Sequence, residues 1–357
     1  MPLTEYLSAV ARYTFNYDQV SLDESQYYSN RVNPAVNECD VLLAGPYLCD
    51  AIGNRTSSIL GLSLIYDKLD NRARPTSGHT ATVSADFAGL GGSVKYLRLR
   101  LNAAKYWNLG KNWIFSVSGE GGAIKALSNS RSSANPFSDD ILLTDRFYLG
   151  EPQMRGFDIR GIGPRVIRKY YQDVDGDGVI GPDEFSPDRN SWTDDALGGR
   201  MYYLGHVELE IPLGSGAREL GIRPSIFMDV GAVWGLRAPA VIDTGPGGQF
   251  IPQRDSSGVP MYNVTCNGTT TTVSSSTAPT PDTANCTTTG DGVTPLGSSY
   301  AFRETFGGNS ARPRLAIGIG FNWNSPMGPF RIDFAKTLLK DPFDDTKSFT
   351  FNVGTQF

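Results

Sequence analysis

The sequence predicts an all-β fold, an antiparallel transmembrane β-barrel, and three observations lead to this prediction. First, ten segments alternate between apolar and polar residues with the two-residue period of a strand. Second, several of them are 11 to 18 residues long, whereas strands of soluble sheets usually have ~5–6 residues and membrane-crossing strands need ~9–11. Third, short and long links alternate along most of the chain, as periplasmic turns and external loops do in outer-membrane barrels.

The ten predicted strands are residues 5–22, 57–70, 79–90, 94–109, 112–127, 200–213, 221–235, 312–324, 329–338 and 347–357. Short links at 71–78, 110–111, 214–220 and 325–328 alternate with long links at 23–56, 128–199, 236–311 and 339–346, and the brief link 91–93 is an exception. Link 236–311 contains a stretch of low complexity rich in Thr and Ser, which predicts a mobile external loop.

The alternation also indicates which side chains face the lumen. In the sixth strand Leu209 points to one face, whereas Glu208 and Glu210 point to the other. Because a lipid-facing carboxylate is destabilising at mid-membrane, both glutamates are predicted to lie inside, as are Phe227 and Asp229 of the seventh strand. A soluble β-sandwich also alternates, but the strand lengths and the unequal links favour a membrane barrel.

The composition agrees with strands and turns rather than helices, since the 357 residues include 40 Gly and 22 Pro and only 19% are charged. A net charge of −5 argues against nucleic acid as a partner, because phosphate binding needs a concentrated basic face. No apolar run reaches the ~18 residues of a membrane-spanning helix. The first 20 residues lack the basic start and apolar centre of a signal peptide.

The four cysteines form two local pairs, Cys39 with Cys49 and Cys266 with Cys286. Neither pair has CxxC spacing, and two histidines are too few to complete zinc sites nearby. Because each pair lies in a polar stretch rich in turns, two disulfides in an oxidising compartment are predicted. Free buried thiols are the alternative.

Residues 173–184, DVDGDGVIGPDE, fit the twelve-residue calcium loop of an EF-hand. Ligand positions 1, 3, 5, 7 and 12 are held by Asp173, Asp175, Asp177, Val179 and Glu184. The flanking segments lack the apolar stripe of EF-hand helices, so a local Ca²⁺ brace is predicted rather than a sensor. The alternative is a solvated acidic turn, since residues 173–195 carry eight carboxylates against one arginine. No organic cofactor is predicted.

Three stretches resemble the family of outer-membrane barrel assembly factors that includes BamA. They are EPQMRGFDIRGIGPR at 151–165, FMDVG at 227–231, and the end of the chain, SPMGPFRIDFAKTL followed by FTFNVGTQF. The resemblance implies a barrel of sixteen strands, of which this chain would supply the seventh to the sixteenth. Residues 1–357 would then be a partial barrel that lacks the first six strands, the periplasmic POTRA domains and the signal peptide.

The resemblance further implies a latch at the tip of the long external loop 128–199. The latch residues and their partners would be Arg155, Gly156, Phe157, Glu208, Phe227, Asp229 and Gly231. A guanidinium inside a lumen is costly unless it meets carboxylates, which it binds in a bidentate manner. Arg155 would therefore pair with Asp229 and Glu208, and Phe157 would pack against Phe227 or the barrel wall.

The last strand carries the implied function. Phe349, Phe351 and Val353 share one face and Phe357 ends the chain, a pattern that resembles the carboxyl-terminal signal of outer-membrane barrels. An edge strand with unpaired backbone groups templates the pairing of an incoming strand. The family resemblance thus implies an assembly factor of the bacterial outer membrane, whose weakly paired seam accepts unfolded barrel proteins and whose surroundings are the lipid bilayer. Accessory lipoproteins would bind through the periplasmic domains.

Three alternatives remain from the sequence. A two-partner secretion or translocation barrel of the same superfamily would share the Arg-Gly-Phe motif, and a passive porin or transporter would share the barrel. An enzyme is not predicted, because GxSxG, HExxH and Gly-rich strand-to-helix loops are missing from the sequence. An enzymatic Ser–His pair on the barrel wall would have to use His79 or His206.

Overall fold

The computed structural model describes residues 1–29, 36–72, 74–213, 221–255, 257–266, 268–279, 292–325 and 328–353, with the backbone alone at 324 and 325. In chain order the strands are β1 (Leu7–Val20), β2 (Tyr28–Ser29), β3 (Glu38–Cys39), β4 (Gly53–Leu69), β5 (Gly78–Gly92), β6 (Tyr96–Asn108), β7 (Ile114–Ala126), β8 (Arg165–Tyr170), β9 (Thr193–Ala196), β10 (Met201–Glu210), β11 (Ile222–Trp234), β12 (Gln249–Pro252), β13 (Met261–Cys266), β14 (Thr269–Ser274), β15 (Gly292–Pro295), β16 (Gly297–Tyr300), β17 (Phe302–Gly307), β18 (Arg314–Ser325), β19 (Gly328–Leu339) and β20 (Phe349–Val353). The helices are α1 (Glu24–Tyr27), α2 (Val41–Ala44), α3 (Pro46–Cys49) and α4 (Ser130–Ala134), with 3₁₀ turns at Leu143–Asp145 and Arg189–Ser191. Among the described residues, no helix combines the length and the apolar character that crossing a membrane requires.

Ten of these strands form one antiparallel sheet, in the order β1-β4-β5-β6-β7-β10-β11-β18-β19-β20. Each strand therefore pairs with the next of the ten along the chain. All ten correspond to predicted strands, and their ends differ by a few residues; predicted strand 200–213, for example, is observed as Met201–Glu210. The prediction of an all-β antiparallel architecture is confirmed.

The two faces of this sheet differ as the alternation predicted. On β11, Ile226 and Met228 are 51% and 40% exposed, whereas Phe227 and Asp229 are buried. On β19, Phe334 is half-exposed while Asp333 is buried. Large apolar side chains outside and charged side chains inside are the reverse of a water-soluble sheet, and they suit a surround of hydrocarbon.

An antiparallel meander places alternate links at the same end of the sheet. The links 21–52, 93–95, 127–200, 235–313 and 340–348 lie at one end, which we call the long-link end. The opposite end, the short-link end, carries links 70–77 and 109–113. The predicted turns 214–220 and 325–328 lie wholly or partly outside the described residues.

Three long links are joined to one another at the long-link end. β8 pairs with β9 and with β17, so links 127–200 and 235–313 share a small sheet. Within it, the buried Arg168 donates to Glu304 at 2.7 Å and to the carbonyl of Leu42, in the first long link, at 2.9 Å. The sequence analysis treated these links as loops, and no local pattern indicates such pairings, because Arg168 and Glu304 are 136 positions apart.

The disulfide predictions are tested for one pair. Cys39 and Cys49 are joined, with Cα atoms 5.7 Å apart, in the first long link. Cys266 is also disulfide-bonded, but its predicted partner Cys286 lies outside the described residues. The described part of the Thr- and Ser-rich stretch contributes to the hairpin of β13 and β14.

Candidate functional site

The tip of link 127–200 folds back against the inward face of the large sheet. Leu149 and Ile162 pair as an isolated β-bridge and close the tip into a compact turn. Phe157, near its centre, is fully buried in an apolar cluster with Leu204, Val233 and other side chains of the sheet interior. The apolar contacts therefore hold the tip against the inward face of the sheet.

Arg155 is the charged residue of this tip. Its Nε and Nη2 atoms donate to the two carboxylate oxygens of Asp229 at 2.6 and 2.5 Å, and its backbone amide donates to Asp229 Oδ2 at 3.0 Å. Nη1 donates to Glu208 at 3.0 Å, and the guanidinium carbon lies 3.5 Å from the ring centroid of Phe227. The structure thus brings Arg155 to both carboxylates that the sequence analysis named.

The charge of Arg155 is strongly stabilised. Burial by itself would lower the pKa of Arg155, but the hydrogen bonds and charge of Asp229, with the charge of Glu208, raise the pKa above its usual value. A guanidinium bound in a bidentate manner stays protonated at any physiological pH. The interaction is therefore a permanent ion pair and not a pH switch.

Two members of this charged cluster were not predicted from the sequence. Arg331 on β19 donates to Asp333 at 2.9 Å and to Glu208 at 3.3 Å, and Asp333 lies 4.0 Å from Arg155. Both side chains are on the inward face of β19, and the alternation used for β10 and β11 would have found them. Glu208 therefore lies between two guanidinium groups.

His206 also joins the cluster, because its Nδ1 atom lies 2.9 Å from Asp229 Oδ1. The sequence analysis considered His206 and His79 as members of an enzymatic Ser–His pair, and the strand alternation also places His206 on the same face as Glu208. His79 instead stacks on Tyr66 with ring centroids 5.3 Å apart. His206 thus supports the carboxylate that holds Arg155.

Gly156 sits where only a glycine fits without strain. Its φ angle is +87°, and a Cβ atom added there would lie 2.8 Å from the Cβ of Ala316 and 3.3 Å from that of Ala335. The Gly156 carbonyl accepts hydrogen bonds from Thr337 Oγ1 at 2.8 Å and from the Lys347 amide at 3.2 Å. The residue therefore lets the tip approach the backbone of β18 and β19 closely. Gly231 plays a similar part on β11, since an added Cβ would lie 2.8 Å from Leu149 Cδ2.

The same tip is bonded to the segment that leads into β20. Phe157 and Thr346 pair as a β-bridge. The Asp158 amide donates to the Asp345 carbonyl at 3.1 Å, and the Asp345 amide donates to the Gly161 carbonyl at 2.9 Å. Residues 156–161 and 345–347 thus form a short antiparallel ladder, which we call the entry ladder.

Strand β20 lies at the edge of the sheet. Its five residues pair with Phe330–Phe334 of β19, and in the described part of the chain it pairs with no other strand. Phe349, Phe351 and Val353 point outward and are about half-exposed, at 48%, 52% and 55%. Phe357, the predicted end of the carboxyl-terminal signal, lies outside the described residues.

Comparison with known proteins decides the family, because the chain matches the Omp85 superfamily domain over residues 1–357. The chain belongs to the Omp85 superfamily. Two curated Omp85 relatives are described as outer membrane protein assembly factor BamA. The protein from Neorickettsia risticii is 26% identical over 305 residues, which are 85% of this chain. The protein from Neisseria meningitidis serogroup B is 24% identical over 293 residues, or 82% of this chain.

Both matches cover 28% of the relative, so this Omp85 chain spans little more than a quarter of the length of those proteins. A solved structure shows the same fold. BamA from Haemophilus ducreyi lacking POTRA domains 1–3 has a TM-score of 0.56 and 18% identity, with 98% of this chain and 51% of that chain covered. The prediction of an outer-membrane barrel fold is thereby confirmed, whereas the position of the ten strands within a larger barrel stays a prediction.

The predicted calcium loop lies in link 127–200 of this Omp85 chain. Carboxylate oxygens of Asp173, Asp175 and Asp177 lie within 4.8 Å of one another. The Glu184 carboxylate accepts a hydrogen bond from the Gly181 amide and does not belong to that group of three among the described residues. Three converging carboxylates suit a hard cation, and the Ca²⁺ site, including the Val179 carbonyl, stays a prediction.

The acidic segment around this loop is partly neutralised by arginines from elsewhere. Asp183 lies 3.2 Å from Arg303, and Asp194 lies 2.7 Å from Arg165. The sequence analysis counted only the one arginine that lies within residues 173–195. The partners were missed because they lie outside the segment in sequence.

We predict that terbium luminescence of the folded protein reports an ion in this loop. The Asp175→Ala variant should lose the terbium signal, because it removes one of three converging ligands, and excess Ca²⁺ should displace terbium from the unchanged protein. Asp188→Ala, in the same acidic segment but outside the loop, is the matched control and should keep the signal. A signal that Asp175→Ala leaves intact contradicts the calcium site.

Proposed function

We propose that this chain forms the barrel portion of an outer-membrane protein assembly factor. The chain lies in the bacterial outer membrane, where its outward apolar side chains meet the hydrocarbon. The long-link end then faces the outside of the cell and the short-link end faces the periplasm. Membership of the superfamily over the whole chain and the description of two curated relatives support this function.

The observation that carries the proposal is the edge position of β20. An edge strand presents a row of unpaired N–H and C=O groups, which another strand can extend by antiparallel pairing. An unfolded barrel protein would add its strands at this edge, and no covalent chemistry is needed. Among the described residues, β20 pairs with β19 alone, through five residue pairs.

The latch would serve this function by holding in place the strands next to the β20 edge. Arg155 ties link 127–200 to β10 and β11, and the Gly156 carbonyl ties it to β19. These bonds keep the strands next to β20 in one arrangement, so that the edge is presented in a defined geometry. Partners of the proposed function are unfolded outer-membrane proteins and the bilayer, and accessory lipoproteins are partners by analogy alone.

Site-directed cross-linking tests the proposed edge. We expect a cysteine at position 351 of the full-length protein to form a disulfide with a cysteine in the carboxyl-terminal strand of a stalled barrel substrate. Leu62→Cys on β4 is the matched control, because Leu62 and Phe351 point outward with similar exposures of 55% and 52%. Leu62 is flanked by Ala11 and Ala85 on paired strands, so it should not cross-link.

Equal cross-linking at both positions, or at neither, would contradict strand addition at β20. A full-length protein that conducts solutes steadily while barrel assembly proceeds normally in its absence would favour a passive porin.

A further inference from the structure

The outer rim of strands β6 and β7 carries cations that the proposed function does not use. Lys95 directly precedes β6 and Lys125 is near the end of β7, at the long-link end. Both side chains are exposed, and neither forms an ion pair with any residue that the structure describes. Lysines beside an apolar membrane face attract the anionic headgroups of the surrounding lipid.

The strand register places the two lysines side by side on the outer face. Leu97 of β6 is directly opposite Lys125 of β7, and the Leu127 amide donates to the Lys95 carbonyl at 3.0 Å. Lys95 and Lys125 are therefore diagonal neighbours on one face, at a separation that long side chains can bridge. Both point to the side of Leu97, away from the buried Tyr96.

An apolar stripe continues from these lysines toward the centre of the membrane. Leu97, Leu99 and Leu101 are 37%, 48% and 55% exposed on the same face of β6. A ligand that touches both features must be anionic at the rim and apolar below it. That combination describes a lipid headgroup with its acyl chains.

A cavity of about 320 Å³ opens beside Lys95 at the rim. It is lined by the side chains of Asn54, Ser93, Lys95, Ser128, Ser130 and Arg131, among others. The volume is at the lower bound of the ~300–1,000 Å³ typical of pockets for small organic groups. It can therefore hold a sugar ring together with its phosphate, with hydroxyl and amide groups available for hydrogen bonds to the sugar.

The charges of the cavity lining favour an anion. Arg55, Lys95 and Arg131 are the cations, and Asp140 is the carboxylate that lines the cavity. Asp140 already accepts hydrogen bonds from the amide and the hydroxyl of Ser132, at 3.0 and 2.6 Å. Arg131 is engaged by Asp50, outside the lining, at 2.5 Å, so Lys95 is the cation most available to a ligand.

We propose that Lys95 and Lys125, with this cavity, bind the phosphate of a phosphorylated glycolipid in the outer leaflet. The acyl chains of that lipid would lie along Leu97, Leu99 and Leu101, and its sugar would enter the cavity. The site fixes a lipid on β6 and β7, which are separated from the β20 edge by β10, β11, β18 and β19. It is independent of the proposed assembly function.

Native mass spectrometry of the detergent-solubilised full-length protein tests this site. Bisphosphorylated lipid A should bind to the unchanged protein, and the double variant Lys95→Gln, Lys125→Gln should bind it about tenfold more weakly, because each lysine near an anionic headgroup contributes to the attraction. Lys105→Gln is the matched control. Lys105 is also on β6 but at the short-link end, where its ammonium lies 5.0 Å from the Trp107 ring centroid.

Each further outcome supports or overturns the proposal. Retained binding in the variant Lys95→Arg, Lys125→Arg supports it, since the charge is preserved. Equal binding of dephosphorylated lipid A to the unchanged protein overturns it, and this comparison needs no variant to fold. If inorganic phosphate alone binds with the affinity of the lipid, the ligand is not a lipid. If the double glutamine variant binds lipid A as the unchanged protein does, Lys95 and Lys125 do not form the site.

Discussion

Replacing Arg155 with alanine is expected to release the tip of link 127–200 from the barrel interior. The substitution leaves the buried Asp229 without the guanidinium that binds both its oxygens at 2.6 and 2.5 Å. Removing one partner of a buried ion pair typically costs about 3–5 kcal/mol, which raises the undocked fraction of the tip more than about 100-fold. Limited proteolysis of residues 128–199 in outer membranes that contain the full-length protein measures this release, and levels of folded barrel proteins should fall.

The matched control is Arg189→Ala in the same link. Arg189 is half-exposed and lies 3.6 Å from the half-exposed Asp345, and such surface pairs contribute less than about 1 kcal/mol. Its proteolysis rate should therefore stay close to that of the unchanged protein. Arg155→Lys should fall between the two, because an ammonium keeps the charge but cannot bind a carboxylate in the bidentate manner. Equal rates for Arg155→Ala and Arg189→Ala would refute the latch.

Gly156→Ala is expected to disrupt the entry ladder while leaving every charge in place. An alanine at φ +87° costs about 1–2 kcal/mol in backbone conformation. The overlap of its Cβ with Ala316 at 2.8 Å adds about 1–3 kcal/mol of overpacking. The Lys347 amide, which donates to the Gly156 carbonyl at 3.2 Å, should then exchange its hydrogen with solvent more than about tenfold faster.

Gly110→Ala is the control for a glycine substitution of the same conformational cost away from the ladder. Gly110 has nearly the same φ angle, +88°, but nothing lies within 4 Å of an added Cβ. This variant carries the conformational cost without the overlap, and it is remote from the ladder at the short-link end. Hydrogen exchange over residues 345–347 should be unchanged in Gly110→Ala, and the same exchange in both variants would show that close packing at Gly156 is unimportant.

The sheet could be predicted from the sequence because the membrane imposes a strict pattern on each strand. Outward residues must be apolar along the whole crossing, so alternation alone separates Ile226 and Met228 from Phe227 and Asp229. Long strands in a meander also pair with their nearest neighbours in sequence, so the strand order can be predicted from the sequence. The pairing of Arg155 with Asp229 followed from this alternation and the family motif together.

The remaining contacts of the charged cluster around Arg155, and the pairing between the long links, could not be predicted in the same way. The inward position of Arg331 follows from alternation. Its hydrogen bond to Glu208, 123 positions away, depends on how the strands are placed in space. The pairing of β8 with β17 joins two links whose composition indicates turns. Partners so distant in sequence leave no periodic signal in either segment.

The entry ladder determines from which end β20 would separate from β19. The Asp158 amide donates to the Asp345 carbonyl, and the Asp345 and Lys347 amides donate to the Gly161 and Gly156 carbonyls, respectively. These bonds hold the chain immediately before β20. A strand secured at its first residues separates from its neighbour more readily from the other end, so we expect detachment within the described residues to run from Val353 toward Phe349. Under the proposed function, an arriving polypeptide would gain access first at the short-link end.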